Sequence, residues 1–290
     1  RVKTVGVIEE DIDRGITMYA KPVGVVAAVS PSTNPAATPV NKAMMAIKGG
    51  NAVIIAPSPA GLSTTTATVM CMRAELKKIG VPENLVQVLP SPVNKELTQE
   101  LMRQTDLVVC TGSQNNVRRA YSSGTPAIGV GAGNVPVIID DSADLNDAAK
   151  KIRESKCFDN STSCSSENSI TVLDSIYDSA LKALQDEGGY LCSPEEKEKI
   201  AKTLWIDGRL NRHVIAKDAH ILAEICDLGA KARHAKFFLI EDGLSVGPDY
   251  PFSNEKLSLV LTVYKASDFS SAQRHVQNIL DLTHGTMMHF

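Results

Sequence analysis

Apolar, β-branched runs alternate with helix-length amphipathic stretches along almost the whole chain. Residues 23–29, 52–55, 85–89 and 106–110 predict strands. Between them, residues 39–48, 63–79 and 94–103 predict helices, the first closed by Gly49-Gly50 and the second by Gly80-Val81-Pro82. Short strands separated by helices imply βαβ crossovers, so the fold class is α/β with a parallel sheet. Such sheets bind ligands beyond the carboxyl ends of their strands, where loops 30–35 and 111–114 fall. A second block opens near Gly129 with a strand over 135–139, an amphipathic run over 144–156 and a β-leaning run over 170–173. Strands over 236–240 and 259–264 follow. The expected division is one domain over 1–128 and another over 129–290.

A length of 290 residues allows two domains with real cores. A net charge of −3 gives no basic footprint for nucleic acid or an anionic membrane surface. No apolar run is long enough to span a bilayer. The six cysteines form no CxxC pair, which predicts free thiols in a reducing, cytoplasmic compartment and no metal site. The chain opens at Arg1 without methionine and closes at Phe290 inside a continuing element, so it reads as a fragment with terminal parts missing.

Candidate chemistry centres on FDNSTSCSSENS, residues 158–169, with Cys164 in the middle. A thiol framed by Asn, Ser and Thr is surrounded by donors that can hold a thiolate, or the oxyanion formed when it attacks a carbonyl. A free cysteine can equally be a small buried hydrophobe. The loop SPSTNP (Ser30, Pro31, Ser32, Thr33, Asn34, Pro35) joins a strand to a helix; it is a plain capping turn or a rigid polar loop beside a cofactor. In CTGSQ, Ser113 opens a helix whose amides can meet a phosphate, although the full GxGxxG fingerprint is absent. GVGAGN places Gly129, Gly131 and Gly133 at alternate positions, a tight turn or a floor between cofactor and thiol. Glu255 precedes a strand, as a solvated carboxylate or an acceptor for ribose hydroxyls. His213, His220, His234 and His275 read as surface groups, and His284 and His289 lie at the ragged end.

In this order the segments KPVGVVAAVSPSTNP, AIKGGNAVIIAPSP, VVCTGS, AYSSGTPAIGVGAGNVPVIID, FDNSTSCSSENS and PFSNEKLS resemble the aldehyde dehydrogenase superfamily. They are most similar to its CoA-acylating branch, which acts on acetaldehyde, propionaldehyde, succinate semialdehyde or sulfoacetaldehyde. The polar run around Cys164 looks most like the sulfoacetaldehyde enzymes. The resemblance runs from Lys21 to Ser258. It implies a Rossmann-type cofactor domain followed by an α/β catalytic domain, Cys164 as nucleophile and Asn34, in competition with Thr33, polarising the aldehyde oxygen. Ser30, Pro31, Ser32, Thr33, Asn34, Pro35, Ser113, Gly131 and Glu255 fall where the family contacts NAD or NADP. Ala56 stands where hydrolytic relatives place a lysine before Pro57-Ser58, so the choice between the two nucleotides stays open. The C-terminal Gly-His-Thr motif is matched by His284-Gly285-Thr286 with its first two residues reversed, and no role is carried to His284.

One departure bears on the reaction. Hydrolytic members carry Glu-Leu-Gly-Gly, whose glutamate activates water; here that position is Gly129. A thiol needs less help from a base near neutral pH than water does, so the departure points to coenzyme A as acyl acceptor. The partners expected are therefore a small aldehyde, coenzyme A and, by resemblance, further copies of the chain in a homo-oligomer. The family assembles through a β-hairpin and a C-terminal tail, neither of which is evident in the sequence. Two other readings stand: a hydrolytic aldehyde dehydrogenase with Glu167 as the nearest carboxylate, and a non-catalytic dinucleotide-binding or assembly module.

Overall fold

The computed structural model describes residues 2–282. The chain forms two compact units, Arg1–Gly131 and Ala132–Phe290.

The first unit begins with an antiparallel hairpin, β1 (Gly6–Asp11) and β2 (Ile16–Ala20). Most of its residues are exposed on both faces, so the half-buried alternation that marks a strand in sequence is missing. There follow β3 (Val25–Val29), α1 (Ala37–Lys48), β4 (Ala52–Ala56), α2 (Leu62–Lys78), β5 (Val86–Val88), α3 (Lys95–Gln104), β6 (Leu107–Thr111), α4 (Gln114–Tyr121) and β7 (Ala127–Val130). The strands β3–β7 form one parallel sheet in the order β5-β4-β3-β6-β7. Because the order runs outward both ways from β3 and β6, a crevice opens between their carboxyl ends. Both faces are covered: Val26, Ala28, Val53 and Ile55 pack on α1 and α2, and Ala27, Val29, Val108 and Cys110 on α3 and α4. This two-sided burial explains why the strands read as nearly continuous apolar runs.

The second unit contains β8 (Pro136–Ile139), α5 (Leu145–Cys157), β9 (Ser169–Leu173), α6 (Tyr177–Asp186), β10 (Gly189–Leu191) and α7 (Pro194–Leu204). A small hairpin of β11 (Trp205–Ile206) and β12 (Arg209–Leu210) leads to α8 (Ala219–Ile225), β13 (Phe237–Asp242), β14 (Val260–Ala266) and α9 (Phe269–Leu282). Its main sheet is also parallel, in the order β10-β13-β14-β9-β8. Asp144 caps α5 by accepting the Asn146 and Asp147 N–H groups, and Ser193 with Glu196 forms a capping box on α7. The division after Gly131 leaves β7 with the first unit, where Cys110 pairs with Gly129, so an expected boundary at 128 cuts through that strand.

His275 is not a surface group. It shares the apolar face of α9 with Ala272 and Ile279, its Nδ1 lies 3.1 Å from the Leu244 carbonyl, and its ring meets Tyr264 edge-on. His213, His220 and His234 are exposed, whereas His284 and His289 lie outside the described residues. Among the described residues no helix is long and apolar enough to cross a membrane.

Candidate active site

In the first unit the polar loops lie at the carboxyl edge of the sheet. Ser30 continues β3, donates its N–H to the Ala56 carbonyl at 2.9 Å, and is buried with no partner for its hydroxyl. Pro31, Thr33 and Pro35 are half-buried, whereas Ser32 and Asn34 are exposed. The Asn34 Oδ1 accepts the Ala37 N–H at 3.1 Å, which commits the carbonyl end of that side chain and leaves its amide NH2 to donate elsewhere. Two neighbours fix this loop. Buried Thr65 donates its hydroxyl to the Pro35 carbonyl at 2.8 Å, and a Cβ on Gly61 would approach the Pro35 Cβ to 2.8 Å. Beneath it, buried Lys42 donates to the Val29 carbonyl and, at 3.0 Å, to that of Val109, tying β3 to β6 at the crevice. Burial lowers the Lys42 ammonium to about 8, opposed by the charge of Cys110. Ser113 is the N-cap of α4, yet its side chain makes no capping bond, so its hydroxyl and the first-turn N–H groups stand at the same edge.

The glycines of GVGAGN have different jobs from a turn. Gly129 lies inside β7, donates its N–H to the Tyr121 hydroxyl, and a Cβ there would come within 2.7 Å of the Val117 Cγ1. A side chain at Gly129, a glutamate included, would require the Val117 and Tyr121 side chains of α4 to shift. At Gly131 a Cβ would press on the Gln114 side chain at 2.8 Å.

In the second unit the candidate residues lie at the opposite edge, before the amino ends of the strands. α5 stops at Cys157, and Asp159, Asn160 and Ser161 then adopt left-handed φ values of 51°, 50° and 63°. Such angles are costly for residues other than glycine and persist where surrounding bonds over-determine them. Here Asn160 donates to the Ala216 carbonyl and the Asp218 carboxylate, and Thr162 donates its N–H and hydroxyl to the Asp159 carbonyl. The Ser161 and Ser166 hydroxyls pair at 2.8 Å, and those of Ser163 and Ser165 at 2.9 Å. The serines around Cys164 therefore bond chiefly to one another and stiffen the turn. Cys164 itself is exposed, and its thiol makes no hydrogen bond among the described residues.

Two buried lysines brace this edge. Lys156, on the last turn of α5, donates to the Glu167 carbonyl at 2.8 Å. Lys256 donates to the Phe252 carbonyl at 2.7 Å and the Asn254 carbonyl at 3.0 Å. Both are fully buried; burial brings Lys156 down to about 7, opposed by Glu167 and Cys157. Lys256 is held well below the ordinary lysine range by burial and by the charge of Lys156. Glu255 is half-buried; burial pushes its carboxyl up to about 7, against the Gly133 N–H and the charge of Lys256. Asn134 donates to the Ser253 carbonyl at 2.6 Å, joining the glycine loop to the Glu255 segment.

Ser30, Asn34 and Ser113 are thus gathered at one edge of the first sheet, and Cys164 and Glu255 at one edge of the second. The lysines escaped the sequence reading, yet two left a signal. Lys42 shares the buried face of α1 with Pro39, Ala43 and Ala46, and Lys156 that of α5 with Ala149 and Ile152. A lysine in apolar phase marks a buried ammonium with carbonyl partners. Lys256 lies on no helix and carries no such mark.

The sequence model of the aldehyde dehydrogenase family matches residues 3–191. A sulfoacetaldehyde dehydrogenase (acylating) of Cupriavidus necator is 52% identical over 278 residues, covering 96% of this chain and 56% of the relative. An acetylating aldehyde dehydrogenase of Geobacillus thermoglucosidasius superposes with a TM-score of 0.90 at 37% identity, over 97% of this chain and 62% of that one. A propionaldehyde dehydrogenase of Rhodopseudomonas palustris, solved with bound CoA and an acylated cysteine, gives 0.78 at 26% identity, over 91% of this chain and 60% of that one. The chain thus spans 56% to 62% of the length of these relatives. With the family match covering well over half of its residues, and acylating enzymes among its relatives, the chain belongs to the aldehyde dehydrogenase family.

Proposed function

We propose that the full-length protein oxidises a small aldehyde to an acyl-CoA, with NAD or NADP as hydride acceptor and coenzyme A as acyl acceptor. The observation that carries this reading is an exposed Cys164 thiol on a braced turn, in a chain that has Gly129, crowded by Val117 and Tyr121, in place of the water-activating glutamate. Cys164 adds as thiolate to the aldehyde carbon, giving a thiohemiacetal whose oxygen is polarised by the Asn34 amide. A nicotinamide dinucleotide bound here would supply the hydride acceptor. Ser30, Asn34 and Ser113 suit its polar groups, because each has hydrogen-bonding capacity that the fold leaves unused. Pro31, Ser32, Thr33 and Pro35 shape the same loop, Gly131 would allow close backbone approach, and Glu255 would accept from the ribose hydroxyls. The thioester left on Cys164 is taken by the thiol of coenzyme A, and the Cys164 thiolate leaves.

Sulfoacetaldehyde is the favoured substrate, supported by the similarity to the Cupriavidus necator enzyme. In each serine pair of the turn one hydroxyl donates to the other, and the second keeps its own proton free for a polar substrate group. For assembly, the hairpin exposes Ile8, Ile12, Ile16, Met18 and Tyr19, a surface suited to a second copy.

A panel of aldehydes with and without coenzyme A, against NAD and NADP, tests the proposal. Reduced cofactor should form at a rate that depends on coenzyme A. Equal rates without it would favour a hydrolytic enzyme, and no turnover by the full-length protein would favour the non-catalytic module.

A further inference from the structure

Asp218 stands at the N-cap of α8, where a carboxylate ordinarily accepts the first free N–H groups of the helix. Here it makes no such bond. Its Oδ1 instead accepts the Asn160 amide at 2.7 Å, and the same amide donates to the Ala216 carbonyl at 3.2 Å. Ala216 in turn donates its N–H to the Leu257 carbonyl at 3.2 Å. Asn160, Ala216 and Leu257 lie on three separate loops, and along this line they hold left-handed φ values of 50°, 60° and 45°. Asparagine tolerates that conformation, whereas alanine and leucine are strained in it. Such strain persists where surrounding bonds over-determine the backbone, and it clusters where a fold holds a site in place.

The line ends on the turn that carries the nucleophile. Among the described residues, every other side-chain hydrogen bond of residues 159–166 stays within that stretch: Thr162 to Asp159, Ser161 to Ser166 and Ser163 to Ser165. The turn is therefore stiff in itself, and the Asn160 amide is its side-chain tie to the rest of the unit. We propose that Asn160 is a positioning residue for Cys164, anchored by Asp218 and the Ala216 carbonyl, and that loop 211–218 is a strap fixing the thiol turn to the Glu255 segment. This rests on Cys164 as the nucleophile of the acylating reading and deepens it. Released from the strap, the turn would pivot about the end of α5, and the thiol would meet the aldehyde carbon in reactive geometry a smaller fraction of the time. The bond from Ala216 to Leu257 would stay, so the loss falls on kcat and not on dinucleotide binding.

The test compares full-length wild type with Asn160→Gly, Asp218→Ala, Asp218→Asn and the double variant Asn160→Gly/Asp218→Ala, assayed for aldehyde-dependent cofactor reduction at saturating coenzyme A. Glycine keeps the left-handed backbone and removes only the amide. Asn160→Gly should lower kcat at least about tenfold, within the roughly 10²-fold that a misplacement of about 1 Å costs, with the Kd for dinucleotide unchanged. Asp218→Ala leaves the Ala216 carbonyl as a partner and should lower kcat less. Asp218→Asn keeps an acceptor oxygen and should stay close to wild type. The double variant should match Asn160→Gly, because Asp218 acts through the amide. A wild-type kcat in Asn160→Gly overturns the inference, as do losses that multiply in the double variant. So does a purely structural role, in which the urea midpoint falls while kcat per folded molecule does not. Should Asn160→Gly not fold, the Asp218 pair decides: Asp218→Ala slower than Asp218→Asn is expected, and equal rates overturn the strap. Failure of the acylating reading looks different, since the wild type itself would then turn over equally well without coenzyme A.

Discussion

The two parallel sheets of this chain are alike in strand number and burial but offer opposite edges to chemistry. In the first, the polar loops follow β3 and β6, and α1 and α4 begin there. Helix starts bring unpaired N–H groups and the positive end of the helix dipole, so the backbone alone supplies donors. In the second, Cys164 and Glu255 precede β9 and β14, and α5 ends beside them with its carbonyls. A thiolate or an oxyanion gains nothing from a helix carboxyl end. There the donors come from side chains: Lys156 and Lys256, both fully buried and both donating to loop carbonyls. A carboxyl edge has its donors from helix geometry, whereas this amino edge has them from buried lysines, whose charged forms burial disfavours.

The comparison fails most visibly if the thiol edge is not where reaction occurs. Cys164→Ala in the full-length protein should reduce aldehyde-dependent cofactor reduction by at least about 10³-fold, the scale on which enzymes lose a nucleophile, while fluorescence titration shows dinucleotide binding retained. Truncating the lysines separates the edges. Lys42→Ala and Lys256→Ala each remove two donated hydrogen bonds and leave a cavity, so each should cost about 2–5 kcal/mol in urea unfolding. The first should raise the KM for dinucleotide and the second the KM for aldehyde; the same kinetic change in both would erase the distinction. Titration sharpens it further. Lys156 near 7 and Lys42 near 8 lie below their unfolded value of 10.5, so the unfolded chain binds more protons in between and their contribution to stability rises with pH across that window. Glu255, raised from 4.5 to about 7, acts in the other sense, its contribution falling as pH climbs between those values. Unfolding midpoints measured from pH 4 to pH 10 should show a minimum contribution near neutrality, with the alkaline rise reduced in Lys156→Met. The smallest expected effect is at Gly129: Gly129→Ala should cost about 1–3 kcal/mol by overpacking against Val117. A neutral result would mean that β7 and α4 yield readily and that a glutamate is excluded by something other than space.

The strands of both sheets other than β7 and β10 were legible because burial on two faces writes them as unbroken apolar runs; β7 is partly exposed and β10 has three residues, so neither carries that pattern. The N-terminal hairpin was not, since exposure on both faces erases that pattern. Cys164 stands out in the sequence by its polar neighbours, and the structure pairs four of these serines with one another. The carboxyl-edge rule located Ser30, Asn34 and Ser113 but is silent on Cys164 and Glu255, which sit before their strands. The buried state of His275, Lys42 and Lys156 was written in helical phase, and residue type alone concealed it. The crowding at Gly129 depends on Val117 and Tyr121 meeting it across a strand–helix contact, which no local pattern encodes.

Asn168 carries a consequence for motion. Its N–H donates to the Val135 carbonyl, its carbonyl accepts the Thr262 N–H, and its Oδ1 accepts the Lys256 N–H at 3.0 Å. One residue thereby stitches the starts of β8, β9 and β14. The thiol turn, the glycine loop and the Glu255 segment cannot fluctuate open separately without breaking a bond at this knot. Amide hydrogens of Asn168, Lys256 and Thr262 should exchange with solvent at a common slow rate, as one cooperative opening unit. Local breathing would then free the main chain of these three segments only together, as part of a larger, rarer event.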